Sequence, residues 1–445
     1  MSETLEPSVS WSDPAAIPPS QQGPFQIPGF WIAWFVSGLA GAAVSALWSV
    51  PTIALPDLDF SSESLSSISL SGSLGFLAGI VLSLRLGDRY PKRGAIRLCY
   101  FSMAACSVVA GIVAFTGFAS IPLLYVTFVV VSVLYGLTTP LVWGLVAELM
   151  PRALLAKSIV MLSWSAVIAS LLGVPLSTLV FGKTLWDAPY EIALVYVALL
   201  FVIAGLLTRR FPRNVGTVRF PGGFREALGL LSRARRLRAL WMYAIVVGGC
   251  LAVFSSSVAL LTYLDLADGL ELGWLLLARG GAGIVATVGL AFVISGRRGW
   301  PTLLLCGGVA AILSVSIAAA DTFWPMLALV VPFGAASAAA GLGANAIAMS
   351  HTPFGYFGRV AALLAVGGAV SSTGIAFLSI MFGSWGQERN LVVGAGVVLL
   401  VASLLLFRTW WATRDESSPI DGAAQTPSPG LIADFTAPQK PAEPS

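Results

Sequence analysis

Asp88 stands among five cations in the stretch LSLRLGDRYPKRGAIRL, residues 82–98, with Arg85, Arg89, Lys92, Arg93 and Arg97 around it and apolar runs on both sides. A carboxylate in that company can accept hydrogen bonds from helix N-terminal N–H groups and pair with guanidinium, which suits a latch between helix ends. The competing reading is that the cations only fix topology, but topology gives Asp88 no task. The second position able to do chemistry is Arg279, eight residues beyond Glu271 inside an apolar run. On a helix that places it about 12 Å from the acidic end, and an isolated charge at such depth costs about 2.5–3.5 kcal/mol. Arg279 should therefore face the interior and reach toward Asp265, Asp268 or Asp57. It is either an anion-binding or gating arginine on a cavity, or a snorkelling structural pair.

Catalysis has little to stand on. His351 is the only histidine, there is no phosphate-cradling glycine loop or serine elbow, and Cys99, Cys106, Cys250 and Cys306 fall in apolar runs without metal-ligand spacing. We expect no enzyme activity, no catalytic residues, no metal and no cofactor.

The elements that must position these residues follow from composition. Only 10% of the residues are charged and 57% are hydrophobic, with a mean hydropathy of +0.87. A water-soluble domain would carry roughly a quarter charged residues, so lipid is the solvent for most of the chain. Apolar windows place twelve helices at 30–55, 67–86, 95–117, 121–147, 156–181, 189–208, 239–264, 270–295, 301–320, 323–350, 357–383 and 389–413. Residues 1–29 and 414–445 are rich in Pro, Ser and acidic side chains and are expected to be disordered tails. The first apolar run is too long for a secretory signal.

Placing the cations on alternate sides of these spans puts 22 of 25 on one side, nine of them arginines in 209–238, and only Lys183 and Arg389 on the other. The positive-inside rule then makes both termini and the basic linker 209–238 cytoplasmic. The same bias explains the pI of about 9.0 without a nucleic-acid partner.

The linker divides the spans into two sets of six, a reason to look for a repeat. Asp57-Leu58 and Asp265-Leu266 end the first span of each set. Pro151 with Lys157, and Pro353 with Arg359, follow the fourth span of each set at the same offset. Two such six-helix halves resemble the major facilitator superfamily. GSLGFLAGIVLSLRLGDRYPKRGAIR resembles its signature between spans two and three, with Asp88, Arg89, Lys92 and Arg93 at the charged positions but Leu84 and Pro91 where glycines stand. AELMPRALLAKSIVMLSWSAVIASLLGVPLSTLVFG and GWLLLARGGAGIVAT resemble the enterobactin-exporter and drug-efflux branch, although the glycine-rich antiporter element is broken at Gly173–Thr178.

The resemblance implies an all-α membrane protein of twelve transmembrane helices in two pseudo-symmetric halves, 30–208 and 239–413. It implies a monomeric, multi-pass cell-membrane transporter that exports a small amphipathic molecule by alternating access, with proton coupling. An importer on the same fold, and a transport-inactive receptor or scaffold, are the alternatives. Asp88, Arg89, Lys92, Arg93, Glu148 and Arg152 would form the cytoplasmic gate, and Asp57, Asp265 and Asp268 the outer one. Arg279, Trp34, Trp48, Trp143, Trp164 and Asn345 would meet substrate in the cavity, although membrane tryptophans also serve as interfacial anchors.

Overall fold

A computed structural model describes residues 23–27, 29–58, 62–86, 91–118, 120–151, 154–155, 157–165, 168–169, 190–211, 224–261, 269–293, 299–352, 356–382 and 388–413. The tails expected at 1–29 and 414–445 lie largely outside these residues. Long apolar runs rich in Leu, Ala, Val and Ile become helices because every backbone polar group must be satisfied internally in lipid. In chain order they are α1 (Phe30–Leu58), α2 (Ser62–Leu86), α3 (Lys92–Val113) and α4 (Ile121–Leu149), then α5 (157–165). There follow α6 (Tyr190–Leu207), α7 (Phe224–Arg233), α8 (Arg235–Leu261), α9 (Gly269–Val293), α10 (Gly299–Ala318), α11 (Phe323–Ser350), α12 (Phe357–Phe382) and α13 (Glu388–Ala412). No strand occurs among the described residues.

Among the described residues seven helices are long and apolar enough to cross a membrane, and three shorter apolar segments lie in α2, α9 and α12. The other two expected spans, 156–181 and 239–264, fall partly outside those residues. The basic segment 209–238 holds the short amphipathic helix α7, which packs on α8 and α12. Leu231 of α7 is buried and Leu228 exposed. Helix α8 then begins at Arg235 rather than 239, its first turn tied down by Arg236, whose Nε donates to Thr413 Oγ1 at 3.1 Å.

The packing repeats. In the first half α2 and α3 pack on α4, while α6 packs on α1 and α3; in the second, α9 and α10 pack on α11, while α13 packs on α8 and α10. Small residues permit the closest approach. A Cβ on Gly79 would overlap the Val133 carbonyl, and one on Gly136 the Phe76 carbonyl. Matching indole bonds tie corresponding helices: Trp34 Nε1 donates to the Met161 carbonyl and Trp241 Nε1 to the Leu363 carbonyl, each at 2.8 Å. Met161 and Leu363 stand at the offset that relates Pro151 to Pro353.

The two halves meet where α12 packs on α2 and α4. Ile80 is fully buried there with Ala362 and Ala369, flanked by Phe76, Leu84 and Val366. The described residues of this cluster are all apolar.

Candidate functional site

A cavity of about 510 Å³ lies between the halves. The first half contributes Val44 and Trp48 from α1, Ser73 and Phe76 from α2, and Ser132, Tyr135, Thr139, Pro140 and Trp143 from α4. The second contributes Asn345 from α11 and the small-residue face of α12 from Ala361 to Ala369. No Asp, Glu, Lys, Arg or His is among these lining residues. Aromatic faces, a few hydroxyls and one amide suit a ligand that is mostly apolar with a few hydrogen-bonding groups.

Opening from the same region, a second chamber of about 300 Å³ lies among α1, α3, α4 and α5, with Leu342 of α11 at its edge. It shares Tyr135, Thr139 and Trp143 with the first. Six of its lining residues carry hydroxyls, a cluster that sequence reasoning missed. The adjacent hydroxyls of Thr138-Thr139 before Pro140, and of Ser163 within span five, were the available signal.

The candidate cavity residues separate. Trp48, Trp143 and Asn345 line the cavity. Trp34 does not: its indole is committed to Met161 and its ring packs against Phe25, Trp31 and Phe35. Trp164 stands next to Ser163, and its buried Nε1 has no hydrogen-bond partner among the described residues.

Arg279 is in neither lining. Its guanidinium lies over the rings of Phe254 on α8 and Phe333 on α11, 5.2 and 5.9 Å from their centroids. Those rings stack on each other at 3.8 Å. A Cβ on Gly334 would strike the Arg279 backbone, so α9 and α11 are in close contact at this point. Asp265 and Asp268 lie outside the described residues, and of Asp57 only the backbone, in the last turn of α1, is described.

At the end of the bundle where α3 begins and α4 finishes, Lys92 and Glu148 form an ion pair. Arg93 reaches the end of α6, where Nε donates to the Thr208 carbonyl at 3.2 Å and Nη2 to that of Arg209. Cations that answer helix C-terminal carbonyls are favourably placed. These bonds all join helices of the first half. A contact that crosses between halves at this end was not foreseen: Lys157, opening α5, lies 5.9 Å from the ring centroid of Phe292 near the end of α9. Asp88, Arg89 and Arg152 lie outside the described residues.

A family profile described as Major Facilitator Superfamily matches residues 30–373. Two solved structures share the fold. The human organic anion transporter MFSD10 (TETRAN) superposes with a TM-score of 0.67 at 14% identity, covering 85% of this chain and 98% of that one. The fucose:proton symporter FucP of E. coli gives a TM-score of 0.64 at 12% identity, covering 85% and 99%. No curated protein sequence matches the chain.

Proposed function

The chain belongs to the major facilitator superfamily, and on that premise we propose that it exports a small amphipathic molecule across the cell membrane by alternating access. The observation that carries this reading is the cavity of about 510 Å³ between the two halves. Within each half, backbone-close glycine contacts and indole bonds resist relative motion. Between halves, the contact of Ile80 and Leu84 with Ala362, Ala365 and Val366 is apolar and built of small surfaces. Rocking the halves about the cavity would therefore cost little and would expose it alternately at the two ends.

Halves spanning 30–208 and 239–413, joined by the basic segment 209–238, fit this mechanism, as does a monomer. The charge bias supports a cytoplasmic location for both termini and that segment. In this arrangement Lys157 and Phe292 would contribute to closing the cytoplasmic end, with Asp88, Arg89 and Arg152 as latch residues, while Asp57, Asp265 and Asp268 would serve the outer end. Proton exchange would use carboxylates at helix ends, with Glu148 the described candidate. The organic anion of the human neighbour does not transfer to this chain. Likeness at 14% identity shows the fold alone, and no cation lines the described cavity.

The test is reconstitution in liposomes with an imposed proton gradient and a broad panel of fluorescent amphipaths. Gradient-dependent movement out of the compartment equivalent to the cytoplasm is expected. A panel that is neither moved nor bound would sink the proposal.

A further inference from the structure

The geometry points to a polar subsite in the side chamber of the first half, one that takes the hydrogen-bond-donating, non-anionic head of the substrate, an ammonium or a hydroxyl, while the hydrocarbon part lies in the central cavity. This inference rests on reading the central cavity as the transport site.

The chemistry of the chamber wall carries it. Thr138 and Thr139 both donate their hydroxyl protons to the Tyr135 carbonyl at 2.9 Å, and Ser163 donates to the Ile159 carbonyl at 2.9 Å. Helical hydroxyls that bond back in this way have spent their donor. What they still offer a ligand is oxygen lone pairs. Thr139 and Ser163 line the chamber and Ser163 is only 8% exposed, so little water reaches these acceptors and a ligand bearing N–H or O–H is their natural partner. Trp143 and Tyr135 stand on both chambers, and aromatic ring faces attract a cation. Ser37, Tyr100 and Tyr135 add hydroxyls that can donate, but no described lining residue is cationic, so burying a carboxylate head there would be costly.

The described hydroxyls of both chambers come from the first half, whereas α12 gives the central cavity only Ala, Leu and Gly. The polar head would thus stay with the first half while the other half moves across the hydrocarbon part.

The experiment is isothermal calorimetry of the full chain in lipid nanodiscs, with empty nanodiscs as blank, using four probes with one hydrocarbon frame: 4-phenylbutylamine, 4-phenylbutanol, 4-phenylbutyrate and butylbenzene. The amine or the alcohol, or both, should bind at least about tenfold tighter than the carboxylate, the pattern showing whether charge or donation alone is read. Ser163→Ala should weaken the donor-headed probes about fivefold and leave butylbenzene unchanged, while Ser163→Thr, which keeps the oxygen, should retain their affinity. The inference is overturned if the carboxylate binds as well as the amine and alcohol, if Ser163→Ala weakens all four probes together, or if neither donor-headed probe binds. Gradient-driven transport with binding indifferent to the head group would overturn this subsite and leave the proposed function standing.

Discussion

Trp143 on α4 and Asn345 on α11 occupy equivalent positions of the two halves and line the same cavity. The offset that relates Pro151 to Pro353 carries one onto the other. Pseudo-symmetry in the backbone is thus broken in the side chains at the point where a ligand would sit. One wall presents an indole face, the other an amide able to donate and accept. An amphipathic molecule between them meets different chemistry on its two sides and has a preferred orientation.

Trp143→Ala should therefore raise the apparent Kd of a transported amphipath about tenfold, or about 1.4 kcal/mol. Asn345→Leu should discriminate, weakening ligands with a polar group on that side and sparing pure hydrocarbons. Trp34→Phe is the control. It removes the bond to Met161, should cost about 1 kcal/mol of stability, and should leave Kd unchanged. Fluorescence titration beside thermal unfolding in detergent separates the two effects.

The glycines of α2 and α4 predict a steep stability contrast. Gly79→Ala places a methyl group on the Val133 carbonyl, and backbone cannot yield as a flexible side chain can. A loss of about 3 kcal/mol is expected, at the upper end of ordinary overpacking. Gly289→Ala on α9 meets nothing within 4 Å and should be neutral or slightly stabilising through helix propensity. Tm values measured in one detergent check both.

The fold was legible because lipid imposes long apolar runs, and the charged stretches between them mark where one span gives way to the next. The cavity was legible only in part. Trp48, Trp143 and Asn345 could be assigned to cavity-lining spans, but nothing local distinguished Trp143 from Trp34. The difference is whether the indole N–H finds a carbonyl on a neighbouring helix, which depends on packing across 127 residues of sequence. The hydroxyl chamber escaped notice for a related reason. Serine and threonine are tolerated anywhere in a span through back-bonding to their own helix, so only the convergence of four helices shows which hydroxyls share a space. The aspartates that Arg279 is expected to reach lie outside the described side chains, and its contacts with the rings of Phe254 and Phe333 are ones that no charge-matching argument selects.

For Arg279 the ring contacts predict a stability role that its removal would expose. Arg279→Met should cost about 1–2 kcal/mol, since the guanidinium rests on two ring faces within the bundle. Arg279→Lys, lacking the planar group, should recover only part. The Kd of an uncharged amphipath should not change in either variant. A large rise in Kd with unchanged Tm would place Arg279 in the binding site after all.

Lys157 and Phe292 make a described contact between halves at the basic end, and their loss should favour opening there. Phe292→Ala should increase the labelling rate of a thiol introduced at Ala365, on the cavity wall, about threefold, the scale of one exposed cation–π contact. The native thiols Cys99, Cys106, Cys250 and Cys306 set the background to be subtracted. Lys157→Ala should give the same increase, and the double variant no more than either alone, since both remove one interaction.

Lys92 and Glu148 give the opposite expectation although they lie at the same end, because their pair joins α3 to α4 inside one half. The side chains are 12% and 10% exposed, so removing one partner leaves a poorly hydrated charge. Lys92→Met or Glu148→Gln should each cost about 3 kcal/mol. The double variant should be less damaged than the two losses added together, because each single variant already removes the Lys92–Glu148 interaction. Since the pair does not cross between halves, thiol labelling at Ala365→Cys should be unaffected in whatever fraction stays folded. If Glu148→Gln instead left Tm unchanged and abolished the dependence of transport on the proton gradient, Glu148 would be a coupling carboxylate first and a structural partner second. Tm and gradient dependence measured on the same preparation decide between the two roles.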